Sequence, residues 1–152
     1  MNITETIVSM EDLMPLIQEV LSKGQDVHIS PKGVSMLPML RQGIDSVVLS
    51  PITKELRKYD IPLYRRDNGK YVLHRIVDVG NGYTCIGDNQ FTPEPNLRHE
   101  QMIAVVTAFY RGNKKHSTSS PAYWLYCRAW HYSRGFRRFY RRAIRWILRH
   151  IK

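Results

Sequence analysis

The spacing of apolar positions changes once along this chain. Near the start, Leu13, Ile17, Val20 and Leu21 recur at helical steps. Ser9 or Asp12 can supply the capping oxygen. Pro15 favours Asp12, because proline is tolerated in a first turn and disrupts a helix interior. Gly24 closes the helix. From residue 26 the period shortens to two: Val27 and Ile29 alternate with Asp26, His28 and Ser30. Short apolar runs follow at 46–49 (SVVL) and 61–64 (IPLY), where Pro62 implies an edge or a bulge. Residues 71–79 form the clearest strand. Residues 83–86 return across Gly80-Asn81-Gly82, and Asn-Gly between two β-prone runs predicts a type I′ hairpin. Residues 102–110 (MIAVVTAFY) read as a last, mostly buried strand. Short strands, turns and no intervening helices predict a mainly β body. A short N-terminal helix precedes it, and a basic amphipathic helical tail follows.

The expected boundaries are an N-terminal helix over 1–25, a β domain over 26–111, a linker over 112–120 and a tail over 121–152. The linker expectation rests on the polar, breaker-rich stretch GNKKHSTSS. A length of 152 residues suits one domain with an appendage. With 43% hydrophobic and 24% charged residues, the composition argues against disorder, collagen and a simple coiled coil. No window approaches the roughly 18 consecutive apolar residues of a spanning helix. The opening MNITETIVSMEDLM lacks a basic start and carries acids, so secretion by a standard signal peptide is not expected. The protein is expected on the cytoplasmic side. Cys85 and Cys127 lie far apart and the six histidines are scattered. Neither a disulfide framework, a metal site nor a cofactor is expected.

Charge separates the tail from the body. The last 32 residues hold nine of the 23 basic residues and none of the 13 acids. Arg134, Arg137, Arg138, Arg141, Arg142, Arg145 and Arg149 recur at i+3 and i+4 steps, with Phe136, Tyr140, Ala143, Ile147 and Ile151 lying off that stripe. Trp124, Trp130 and Trp146 add aromatic bulk, and Gly135 is placed to hinge two helical pieces. Such a tail fits an anionic membrane surface, with peripheral attachment through 121–152. A helix packed on the body and a nucleic-acid contact rank behind it.

Three segments carry candidate chemistry. In Gly33-Val34-Ser35-Met36-Leu37-Pro38-Met39-Leu40, a serine sits in a glycine-led turn that can expose its hydroxyl as a nucleophile. In residues 71–77 (YVLHRIV), strand alternation puts His74 on an apolar face with Val72 and Ile76, where a general base is desolvated and held. In Ile86-Gly87-Asp88-Asn89, hairpin pairing carries Asp88 back toward the His74 strand. Each also has a plain structural reading: a loop serine, a core histidine, a turn aspartate.

In this order, over roughly residues 27 to 110, the three segments resemble the type I signal peptidases and the wider serine-peptidase group that includes the self-cleaving SOS repressors. The resemblance implies Ser35 as nucleophile and His74 as base, as in the endoplasmic-reticulum and archaeal type, with Asp88 as orienting acid. It implies a peptidase that cuts a leader or signal segment after small residues. Glu94 is the nearest candidate for the second acid of the histidine type. Gly33 occupies the position of a side-chain oxyanion donor, which leaves the Ser35 N–H to carry that role. Tyr59-Asp60 stands where the family commonly has Gly-Asp. The family's N-terminal membrane helix has no counterpart in 1–25, and the basic tail would take its place. Two further readings are a self-cleaving repressor-like regulator and a non-catalytic peptide-binding module. No helix-turn-helix supports the first, and retention of Ser35, His74 and Asp88 together argues against the second.

Overall fold

A computed structural model describes residues 9–151. The part of the expected N-terminal helix at 1–8 lies outside them. Helix α1 spans Met10–Ser22, and Met14, Ile17 and Leu21 are its buried stripe. Ser9, not Asp12, is its cap: the Ser9 hydroxyl accepts the Asp12 N–H at 3.1 Å. Pro15 therefore lies inside the helix. The Glu11 carbonyl that loses a donor to Pro15 is on an exposed residue, where water can satisfy it.

Among the described residues nine strands follow: β1 Val27–Ile29, β2 Ser46–Ser50, β3 Pro62–Arg65, β4 Tyr71–Leu73, β5 Arg75–Val79, β6 Tyr83–Ile86, β7 Glu94–Leu97, β8 Met102–Arg111 and β9 Lys114–Ser117. They form two antiparallel sheets. One runs β1-β2-β8-β3-β4 with β9 also on β8, and the other runs β5-β6-β7. Helices α2, Pro121–Tyr132, and α3, Arg134–His150, complete the chain. The body is thus built of strands, with one short helix before it and two helices after it.

The differences from the sequence expectation have physical causes. Pro62 is buried within the sheet rather than at its edge. It opens its strand, and the bulge that the sequence offers as the other choice lies just beyond it, where the β3–β8 ladder shifts between Leu63 and Tyr64. The hairpin after β5 closes through three residues, with Val79 opposite Tyr83 and Gly80 N–H on the Gly82 carbonyl at 3.0 Å. Neither Asn81 nor Gly82 has positive φ, so the turn is not type I′. Residues 112–120 are not a linker. Lys114–Ser117 pairs with β8, and the exposed lysines keep a free sheet edge charged. Nor is 121–152 a detached tail, since Tyr123 and Cys127 of α2 sit in the main core with Met14, Leu63 and Phe109. The break between α2 and α3 falls at Ser133, two residues before the anticipated hinge at Gly135, which lies within α3.

Candidate active site

Ser35 lies on a turn-rich loop between β1 and β2. Met36, Met39 and Leu40 sink into the core and hold the loop down, while Ser35 stays half-buried. Gly33 adopts φ 91°, a left-handed conformation that glycine accepts without strain. Its N–H donates to Gln42 Oε1 at 2.7 Å, so Gly33 is not a free oxyanion donor. The loop ends at Asp45, a buried carboxylate that accepts from the Arg41 guanidinium, the Arg41 N–H and the Gly112 N–H. The Arg41 hydrogen bonds, chiefly, hold the Asp45 carboxyl down at about 2.

The Gly87-Asp88-Asn89 turn grips this loop from the other side. Asn89 N–H donates to the Ser35 carbonyl at 2.8 Å, and Asn89 Nδ2 to the Val34 carbonyl at 3.1 Å. A Cβ at position 87 would come within 2.6 Å of the Ser35 carbonyl oxygen, which explains the glycine. The Ser35 hydroxyl makes no hydrogen bond among the described residues.

The long strand predicted over 71–79 is two strands, because the chain leaves one sheet and enters the other at His74. The break buries two neighbouring side chains in different surroundings. His74, 4% exposed, shares a cleft of about 260 Å³ with Ser35, Gly33, Arg66 and Gln90. Its Nδ1 is 3.3 Å from the Tyr64 hydroxyl, and that hydroxyl donates to Glu94 Oε2 at 2.9 Å. Arg66 forks onto the same carboxylate at 2.8–3.0 Å. With its own proton on Glu94, the Tyr64 oxygen is free to accept Nδ1–H from His74. That arrangement leaves the Nε2 lone pair as the second nitrogen's only function. Burial, then the nearby Arg66 charge, push His74 down to about 4, so the ring is neutral near pH 7. The Glu94 carboxyl works against its own burial and is still held below its ordinary value by Arg66 and Tyr64. Gln90 also lines the cleft. Its amide oxygen accepts the Gly87 N–H at 3.3 Å, which leaves its NH₂ for other partners.

Asp88 does not orient His74. Both of its oxygens pair with Arg75, Oδ1 with Nε and Oδ2 with Nη2, each at 2.8 Å and out of contact with water. The carboxylate is drawn there because Arg75, alone inside the core, would be an uncompensated buried charge. Arg75 also donates to the Tyr123 hydroxyl and to Cys127 Sγ of α2. The Tyr126 hydroxyl donates to Asp88 Oδ2, and Trp130 Nε1 to the Asp88 carbonyl. A further acceptor comes from the backbone: Tyr59, at φ 79°, turns its carbonyl toward Arg75 and the Tyr123 hydroxyl, which both donate to it. This left-handed residue stands where the resemblance expects glycine. The acid linked to His74 is Glu94, through Tyr64.

The tail residues divide. Trp130 stacks on Tyr126 and Arg137 lies 3.6 Å over the Trp130 ring, so both are against the body rather than free for a surface. Arg134 is half-buried and Arg141 donates to Asn89 Oδ1 at 2.5 Å. Arg138, Arg142, Arg145, Arg149, Trp124 and Trp146 are exposed. Sequence reasoning misses Tyr64, Arg66 and Gln90, and it gives Asn89, within the Gly-Asp-Asn segment, no role of its own. Tyr64 was hidden inside an apolar run, and only the hydroxyl on a buried aromatic hinted at a polar partner.

Among the described residues no helix is long and apolar enough to cross a membrane, and no group of three or more His, Cys, Asp or Glu could hold a metal ion. Comparison with protein-family models, curated proteins and solved structures finds no match to this chain.

Proposed function

We propose that this chain is a serine endopeptidase that removes a leader or signal segment from peptide substrates. The observation that carries the reading is the cleft itself. An uncommitted serine hydroxyl and a neutral, buried imidazole open onto one cavity, and the ring is held from behind by a hydroxyl and a carboxylate. Ser35 Oγ attacks the scissile carbonyl while His74 Nε2 takes its proton. The Tyr64–Glu94 pair stabilises the imidazolium that forms. The Ser35 N–H faces the developing oxyanion, with the Gln90 amide as the nearest second donor. His74 then passes the proton to the leaving amine. Water, deprotonated by the same nitrogen, releases the acyl group and regenerates Ser35. A cleft of about 260 Å³ suits short side chains beside the scissile bond, in keeping with the resemblance.

The reading is tested by mass spectrometry of a peptide pool rich in Ala-x-Ala-like sites, incubated with the wild type and with Ser35→Ala. Cleavage by the wild type alone, at defined sites, is the expected result. Equal cleavage by both proteins would overturn it. So would absence of cleavage together with failure of a fluorophosphonate to label Ser35. Two fragments of the chain itself, absent in Ser35→Ala, would instead identify a self-cleaving regulator.

A further inference from the structure

Helix α3 buries none of its 17 residues. Its side chains sort into two faces at 100° per residue. Arg138, Arg142, Arg145 and Arg149 form one, continued toward the body by Arg134, Arg137 and Arg141. The other carries Phe136, Phe139, Trp146, Ile147 and Ile151, exposed by 73, 70, 63, 44 and 74%. Helix α2, adjacent in sequence, sends Tyr123 and Cys127 into the core and leaves Trp124, Leu125 and Tyr132 exposed, whereas α3 places no residue in the core.

We infer that α3 is a lipid-surface helix, which seats its apolar face at the acyl boundary of an anionic bilayer and sets its arginines on lipid phosphates. Charge complementarity selects this occupant. The residues from 121 onward hold nine basic side chains and no acid. A nucleic acid would engage the arginines and leave the aromatic face in water. A second copy of α3, apolar face to apolar face, would cover the aromatics and leave both arginine rows outside without counter-charge. A bilayer with anionic headgroups satisfies both faces at once.

The placement of α3 also links lipid to the cleft. Arg141 holds Asn89, whose backbone N–H holds the Ser35 carbonyl. Phe136 and Tyr140, on the apolar side of α3, line a hollow with Leu37 and Pro38 of the serine loop. A seated α3 therefore brings that loop to the membrane surface. The lipid-binding inference stands whether or not the chain is a peptidase.

The test is flotation of the full chain with vesicles of phosphatidylcholine alone and of equimolar phosphatidylcholine and phosphatidylglycerol. Two variants accompany it: Phe139→Glu with Ile147→Glu, and Arg138, Arg142, Arg145 and Arg149 all changed to Gln. All six positions are exposed, and circular dichroism verifies the fold. The wild type should float with the mixed vesicles and not with phosphatidylcholine. Binding should fall about a hundredfold in the Glu pair and about tenfold or more in the Gln set. A wild type that stays at the bottom of the gradient with mixed vesicles overturns the inference, as does binding that neither variant weakens. Without vesicle binding, a dimer dissolved by the Glu pair would assign the face to self-association, and binding to a duplex would assign the arginines to nucleic acid.

Discussion

His74 and Arg75 are neighbours in sequence and opposites in circumstance. Arg75 enters a closed region where every donor has an acceptor: Asp88 takes two, and the Tyr59 carbonyl, Tyr123, Cys127 and Met39 take the rest. His74 enters a half-satisfied region, with one nitrogen engaged by Tyr64 and the other left to an open cleft that Ser35 shares. Saturation gives rigidity, and the vacancy beside it is where chemistry can occur. The two carboxylates follow the same division, Asp88 to the framework and Glu94 to the imidazole.

Substitutions on the two sides should fail differently. The largest effect belongs to His74→Gln, which should lower turnover about 10⁴-fold or more while the melting curve stays near that of the wild type. A loss of turnover matched by loss of the folded state would collapse the distinction. Asp88→Asn should do the reverse. Leaving Arg75 uncompensated should cost about 3–5 kcal/mol in denaturant titration, while turnover per folded molecule persists.

Tyr64→Phe comes next. Without the hydroxyl, the ring of His74 loses its tautomer lock and its link to Glu94, and kcat should fall about tenfold to a hundredfold with KM little changed. An unchanged kcat would leave Tyr64 as packing only. The smallest effect is on pH. In the wild type, kcat/KM should stay level through neutral pH and decline only as His74 gains its proton, near pH 4. Arg66→Gln removes a positive charge from beside the ring and frees Glu94, and both changes favour the imidazolium. Its acid limb should therefore move up toward the ordinary histidine value of about 6.5. A limb that stays in place would mean that Arg66 acts only through Glu94's position.

The candidate groups are legible in the sequence because serine in a glycine-led turn, histidine in a strand and Gly-Asp-Asn are local patterns. Their pairing is not. Strand alternation assumes one continuous strand, and the switch of sheets at His74 breaks that assumption, turning His74 and Arg75 both inward. The resemblance of the Gly-Asp-Asn segment places Asp88 beside His74, and a buried arginine is the stronger claimant on that carboxylate. The β9 strand read as a linker because both its faces are polar, as suits an edge strand. Helix α2 read as part of a basic tail because Tyr123 and Cys127, the two residues that enter the core, are one turn apart among exposed aromatics.

The involvement of α2 in the Arg75 cluster also sets an order on biosynthesis. When residues 74, 75 and 88 have left the ribosome, Tyr123, Tyr126, Cys127 and Trp130 are still being added, and the Arg75–Asp88 pair lacks its cover. Asp88 and Asn89 belong to one turn, so the cover that α2 lays over Asp88 lies directly behind the hydrogen bond that holds the Ser35 carbonyl. The segment that closes the Arg75 cluster is thus made after the serine, the histidine and the aspartate whose surroundings it completes.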